Sequence, residues 1–236
     1  WTLDKIFSDD RLNKILMFKG GTSLSKVFNL IGRFSEDIDL ILDWRLVSNE
    51  NPLNDQESKN KQVKFNEQIN ENAKEYIQNE LLPIISQILS PLCTCIIAED
   101  GFSINVRYPN AFDDNYLRPE ILLEIEPLAS WLPSYSFEIS SFAAQKFPEV
   151  FEKTKCSVNT IVAKRTFWEK ATILHHEANR PEESPMPTRY SRHYYDLAMM
   201  VQSEVKNEAL ADLNLLQNVV DFKQKFYPRT WAKYEE

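Results

Sequence analysis

Two short clusters hold the residues best suited to chemistry. The first is Lys19-Gly-Gly-Thr-Ser-Leu-Ser-Lys26, with two of the chain's four glycines at Gly20 and Gly21. The second is Arg33-Phe-Ser-Glu-Asp-Ile-Asp-Leu40, in which Ile38 separates Asp37 from Asp39. A Gly-Gly turn that opens a helix lets backbone N–H groups approach phosphate oxygens, and the helix N-terminus favours their charge. The spacing is not that of a P-loop, since G-x-x-x-x-G-K-[ST] is absent. On a strand, residues two apart share a face and lie about 6.5–7 Å apart. Asp37 and Asp39 therefore point one way while Ile38 points into a core. Two carboxylates side by side repel unless a cation or another partner joins them. Hard oxygen ligands suit Mg²⁺, which keeps some waters and takes further ligands from substrate phosphates. A lone Gly-Gly is more often a plain turn, and a lone D-x-D more often a solvated strand end. Sixteen residues apart, with one helix-length segment between them, the two describe a site that holds a triphosphate against divalent metal.

The elements that must position these residues are legible around them. Residues 14 to 18 are apolar and read as a buried strand or the end of a helix. Thr22 to Leu30 reads as a helix, with Leu24, Val27, Phe28 and Leu30 on one side and Thr22 or Ser23 able to cap it. Glu36 to Leu42 alternates and then becomes apolar, a strand signature. A long helix is expected from about Asn54 to Leu89, kinked at Pro83. A hairpin is expected over 93–99 and 102–108 around Asp100-Gly101, and a strand over Ile121–Glu126. Beyond Pro127 and Pro133 helices are expected over 139–147, 159–178, 190–203 and 206–219. A soft boundary near Trp131 gives two parts, 1–131 and 132–236, an α/β core followed by a helical C-terminal domain.

These motifs resemble the nucleotidyltransferase superfamily with the DNA polymerase β-like fold, and within it the AbiEii/AbiGii-type toxins. That branch opens with Lys-Gly-Gly-Thr-x-Leu, which Lys19 to Leu24 reproduces, and Arg33 to Leu40 reproduces its second motif. Arg165-Thr-Phe-Trp-Glu-Lys-Ala-Thr-Ile-Leu174 and Arg192-His-Tyr-Tyr-Asp-Leu197 resemble two later pieces; residues 43 to 118 match nothing. The resemblance implies a third carboxylate from a later strand. The branch reads Leu-Glu-Ile there, which maps to Glu124, although Glu126 shares its face. It also implies that Lys170 acts on phosphate and that Asp196 faces the cleft. From the residues alone, Lys170 reads equally as a solvent-facing helix lysine. Asp196, on an apolar helix, reads equally as a partner of Arg192. Lys19, Gly20, Gly21, Thr22 and Ser35 become nucleotide-binding candidates; Ser35 either contacts phosphate or caps local structure, and serines here are modified in some relatives.

By this resemblance the chain is a Mg²⁺-dependent nucleotidyltransferase with a two-metal site at Asp37, Asp39 and Glu124. It would move NMP from an NTP to RNA, the 3′ end of tRNA, as a toxin with a cognate antitoxin. Two other classes stay open: a transferase acting on a protein hydroxyl, and an inactive nucleotide-binding module. Intact Gly20, Gly21, Asp37 and Asp39 count against the module.

Composition bounds these readings. The chain has 236 residues and a net charge of −8, whereas nucleic-acid binders usually carry a basic face. Lys146, Lys153, Lys155, Lys164, Arg165 and Lys170 make one stretch locally basic, which favours RNA over protein as acceptor. No apolar run is long enough to span a bilayer, and no signal-peptide pattern is present. The chain begins at Trp1 rather than Met, which implies a segment before it. Cys93, Cys95 and Cys156 are too few for a disulfide framework and read as packed thiols in a cytoplasmic protein. His175 and His176 have no partner at zinc spacing and read as surface or interface residues.

Overall fold

The computed structural model describes residues 1–33, 35, 37–109 and 120–234; Phe34 and Glu36 of the second motif lie outside them. Among the described residues seven strands form one mixed sheet: β1 Leu16–Lys19, β2 Asp37–Leu42, β3 Thr94–Ile97, β4 Ser103–Arg107, β5 Glu120–Glu126, β6 Ser134–Ile139 and β7 Cys156–Ile161, in the order β3-β4-β5-β2-β1-β7-β6. The helices are α1 Thr2–Ser8, α2 Gly20–Lys26, α3 Lys59–Tyr76, α4 Leu82–Leu89, α5 Phe142–Lys146, α6 Ala163–Ala178, α7 Ser191–Val201, α8 Val205–Leu210 and α9 Leu213–Phe226.

One face of the sheet is core throughout. Leu16, Phe18, Ile38, Leu40, Leu42, Ile104, Val106, Leu123 and Ile125 are buried there against α1, α3 and α4, through Ile6, Ile69, Ile77, Leu81 and Ile85. Truncating any one of these to Ala costs about 2–5 kcal/mol. The other face alternates in chemistry with the first, as the two-residue period requires. It presents Met17 and Ile41, with Ile161, to Ala129 and Trp131, and beside them a row of charged residues. A second core joins α2 to α6–α9 through Leu24, Ile31, Phe167, Trp168, Met200, Leu215 and Val219.

Several expectations are corrected: the helix expected over Thr22–Leu30 is Gly20–Lys26 with no side-chain cap, and the one expected over 206–219 is two helices, Val205–Leu210 and Leu213–Phe226. Residues 134–139 and 156–161 are strands, so the sheet crosses residue 131 and β6 and β7 complete it beside β1. The helix expected over 159–178 begins only at Ala163. The long helix does span Pro83, which falls at the start of α4. A wide π turn at Ile77–Leu81 precedes it.

Candidate active site

β1 ends at Lys19 and the chain turns through Gly20, at φ +76°, into α2. A side chain at Gly20 would place its Cβ 1.9 Å from Asp39 Oδ2, so the backbone lies directly against that carboxylate. Gly21 is crowded too: a Cβ there would sit 2.8 Å from the Arg33 guanidinium and 3.1 Å from Ser35 Oγ. Glycine is required at 20 by both conformation and space. The Thr22 hydroxyl donates to the Asp37 carbonyl, and Ser23 Oγ to the Gly20 carbonyl at 2.8 Å. The first bond ties the turn to the first residue of β2, and the second closes the turn on itself.

Strand register then assembles the acids. β2 runs antiparallel to β1 with Lys19 opposite Asp39, and parallel to β5 with Glu124 opposite Asp39 and Glu126 opposite Ile41. The Glu124 carboxyl is pushed up to about 7, by burial first and then by the charges of Asp39, Asp37 and Glu126. It shares a hydrogen bond with Asp39, so the two carboxyls titrate as a pair. Asp39 is also raised: burial and the neighbouring acids outweigh the opposing pull of Lys19. Lys19 forms an ion pair with Glu126. Burial pulls its ammonium down, but Glu126, Glu169 and Asp39 outweigh burial and raise it.

Among the described residues no three His, Cys, Asp or Glu side chains form a ready-made metal cage. The donor set nevertheless fits a hard cation. Two mutually repelling carboxylates with Asp37 nearby offer only oxygen, which suits Mg²⁺ completed by water and phosphate.

Behind this face lies a buried ionic clamp. The Asp196 carboxylate is inaccessible to solvent; it accepts from Arg33 Nε and Nη2, each at 2.7 Å, and pairs with Lys170 Nζ at 2.8 Å. Burial raises its pKa, but these cations outweigh that and hold it low. Asp196 therefore does not open onto the cleft, and its partner is not Arg192. Arg192 Nη1 instead lies 3.9 Å from Asp37 Oδ2, and the Tyr195 hydroxyl accepts the Gly32 N–H at 3.2 Å. Helix α7 thus grips the connection between α2 and β2 at three points. Lys170 is buried, not solvent-facing. Sequence reading missed Arg33 as a site residue. The signal was a lone aspartate on an apolar helix, which demands a cationic partner from elsewhere in the fold.

Much of the basic stretch pairs within the chain. Lys153 pairs with Asp4 at 2.6 Å, Lys155 with Glu138 at 3.1 Å, Lys164 with Asp212 at 2.7 Å and Arg165 with Glu169 at 3.0 Å. These cations are spent on acids of the chain itself. His176 is also not a surface residue: it is buried and lies 2.8 Å from Glu177 Oε1. A cavity of about 1350 Å³ runs past Trp44, Trp131, Arg165 and Phe222, but Asp37, Asp39 and Glu124 do not line it.

A mixed sheet that presents clustered carboxylates beside a Gly-Gly turn is the arrangement expected of a nucleotidyltransferase. Over residues 1–235 the chain matches the family model described as nucleotidyl transferase AbiEii toxin, type IV toxin–antitoxin system, and it belongs to that family. It is accordingly a nucleotidyltransferase, and membership implies an NTP substrate, a divalent metal and an antitoxin partner. Among solved structures, MenT4, a nucleotidyltransferase toxin of Mycobacterium tuberculosis H37Rv, is similar at TM-score 0.43 and 15% identity, over 95% of this chain and 90% of that one. An antigenic nucleotidyltransferase-like protein from Paracoccidioides brasiliensis is similar at TM-score 0.37 and 12% identity, over 100% and 96%. No curated protein sequence matches the chain.

Proposed function

We propose that the chain transfers NMP from an NTP to an RNA 3′ hydroxyl, that of tRNA, through Asp37, Asp39 and Glu124. The observation that carries this reading is the Asp39–Glu124 pair, held face to face by strand register against the Gly20 backbone. Backbone N–H groups of Gly20, Gly21 and Thr22 hold phosphate oxygens, and Ser35, beside Gly21, adds a hydroxyl. The acceptor oxygen attacks the α-phosphorus, its proton passes to Asp37 or Glu124, and the bond to the β-phosphate breaks to release pyrophosphate. Bound Mg²⁺ at the three carboxylates, two ions in our reading, supplies charge neutralisation at the attacking and leaving oxygens. Lys19 keeps its charge next to Asp39 and offsets phosphate charge. Lys170 and Asp196 act behind the site by fixing Arg33 and so the loop that carries Ser35.

The RNA acceptor rests on the toxin family. A protein hydroxyl is the second reading, favoured by the charge of −8 and the internal pairing of Lys153, Lys155 and Lys164. No helix among the described residues is long and apolar enough to cross a membrane. The free thiols of Cys93, Cys95 and Cys156 accord with the cytoplasm, where we place the protein. Incubation with each α-labelled NTP, Mg²⁺, total RNA and cell lysate tests the proposal. Label on RNA supports it, label on protein alone selects the second reading, and no incorporation with any NTP refutes both.

A further inference from the structure

Helix α9 turns Leu215, Val219 and Phe226 into the molecule, and Lys223 lies on the same stripe, four residues after Val219. Its ammonium donates to the Glu169 carbonyl at 2.9 Å, an oxygen that also accepts from the Thr172 hydroxyl at 3.0 Å. Lys223 forms no ion pair among the described residues.

The surrounding acids are already engaged. Glu169 is held by Arg165, Glu126 by Lys19, and Asp196 by Arg33 and Lys170. Three of those cations, Lys19, Arg165 and Lys170, act on Lys223 itself. Together with burial, the largest influence, they outweigh Glu169 and push its pKa down to about 8. The imidazoles that sense Lys223 supply no negative charge. His193 is pushed down to about 4, chiefly by burial, and its buried Nδ1 has no hydrogen-bond partner; His176 is also lowered, again chiefly by burial.

A surplus cation in a partly buried cluster is costly unless an anion enters. The cluster borders the carboxylate site, because Lys19 is both its member and the sheet neighbour of Asp39. Resting on the nucleotidyltransferase reading above, we propose that Lys223 binds the nucleotide, its ammonium donating to a phosphate oxygen of the NTP.

Equilibrium binding of an α,β-methylene NTP with Mg²⁺, and of inorganic tripolyphosphate, tests this. A hydrogen bond to a charged group contributes about 1.5–3 kcal/mol, so K223Q weakens both ligands about 10–100-fold, while unphosphorylated nucleoside binds as to wild type. In wild type, tripolyphosphate affinity falls as pH rises from about 8 to 9.5, as Lys223 loses its proton; K223R keeps its charge and removes that fall. Wild-type affinity for both ligands in a folded K223Q overturns the proposal, as does an undiminished pH dependence in K223R. Failure of wild type to bind any NTP analogue overturns the nucleotidyltransferase site itself, a separate result.

Discussion

Replacing Glu124 with Gln should stabilise the metal-free protein at neutral to alkaline pH while removing its activity. The glutamate carboxyl ordinarily titrates near 4.5 and in the folded chain near 7, a rise of about 2.5 units. At 1.36 kcal/mol per unit this is roughly 3 kcal/mol at most, and about 1–3 kcal/mol after sharing with Asp39 and screening by solvent. The folded state holds the proton more tightly, so between pH 4.5 and 7 it binds more protons than the unfolded chain. Stability contributed by neutral Glu124 is present below about pH 4.5 and is lost as pH rises through 7. Gln keeps the neutral shape at every pH. Urea unfolding in EDTA should therefore show E124Q and wild type close at pH 5, with E124Q more stable by about 1–3 kcal/mol at pH 8. The depressed acids, such as Asp196 and Glu177, titrate below this window and cancel in the difference. Adding Mg²⁺ at pH 8 should close the gap by stabilising wild type. A variant less stable than wild type at pH 8 in EDTA, or a gap that ignores pH, refutes the like-charge account.

Gly20→Ala should strain a residue at φ +76° by about 1–2 kcal/mol and drive a Cβ into Asp39. Transfer should fall at least about tenfold with the fold retained by circular dichroism, the cost expected of a displaced catalytic group. Asp196→Ala removes the anion that buried Lys170 and half-buried Arg33 share, at a cost of about 3–5 kcal/mol; thermal unfolding measures it, and a change under 1 kcal/mol contradicts the clamp. Because Asp196 is held below its usual range, the stability it contributes is present above the unfolded value of 3.8. That contribution disappears as pH falls through the folded value, and acid unfolding of wild type against Asp196→Asn reads the difference. Substituting Lys153, Lys155 and Lys164 together should leave salt dependence of acceptor modification unchanged, since these lysines are paired internally. A smaller salt slope would restore the basic stretch as a docking face.

Much of the fold was legible because its period matched its burial. Ile38, Leu40 and Leu42 alternate with Asp37, Asp39 and Ile41, and the structure sends them to opposite faces of β2. The hairpin of β3 and β4 announced itself through Asp100-Gly101, where Gly101 takes φ +75°. β6 and β7 did not. β6 is an edge strand whose Tyr135 is exposed, and β7 runs almost directly into α6, so its β-branched residues read as the start of that helix. The Gly-Gly turn and the D-x-D strand were readable as local patterns. The partners they require were not, because register and long-range pairing set them: Glu124 meets Asp39 across β2 and β5, and Arg33 meets Asp196 over 163 positions. Lys153 to Arg165 misled because a run of charge in sequence says nothing about the acids folding brings alongside.

In the proposed reaction the carboxylates of β2 catalyse attack at an α-phosphorus. The most direct measurement gives wild type and Asp37→Asn/Asp39→Asn the same NTP labelled either at the α- or at the γ-phosphate, with Mg²⁺ and acceptor. Wild type should move the α-label onto the acceptor and release the γ-label as pyrophosphate, and the double variant should do neither while folding normally. Transfer of γ-label to the acceptor, or wild-type α-transfer by the double variant, would contradict the account.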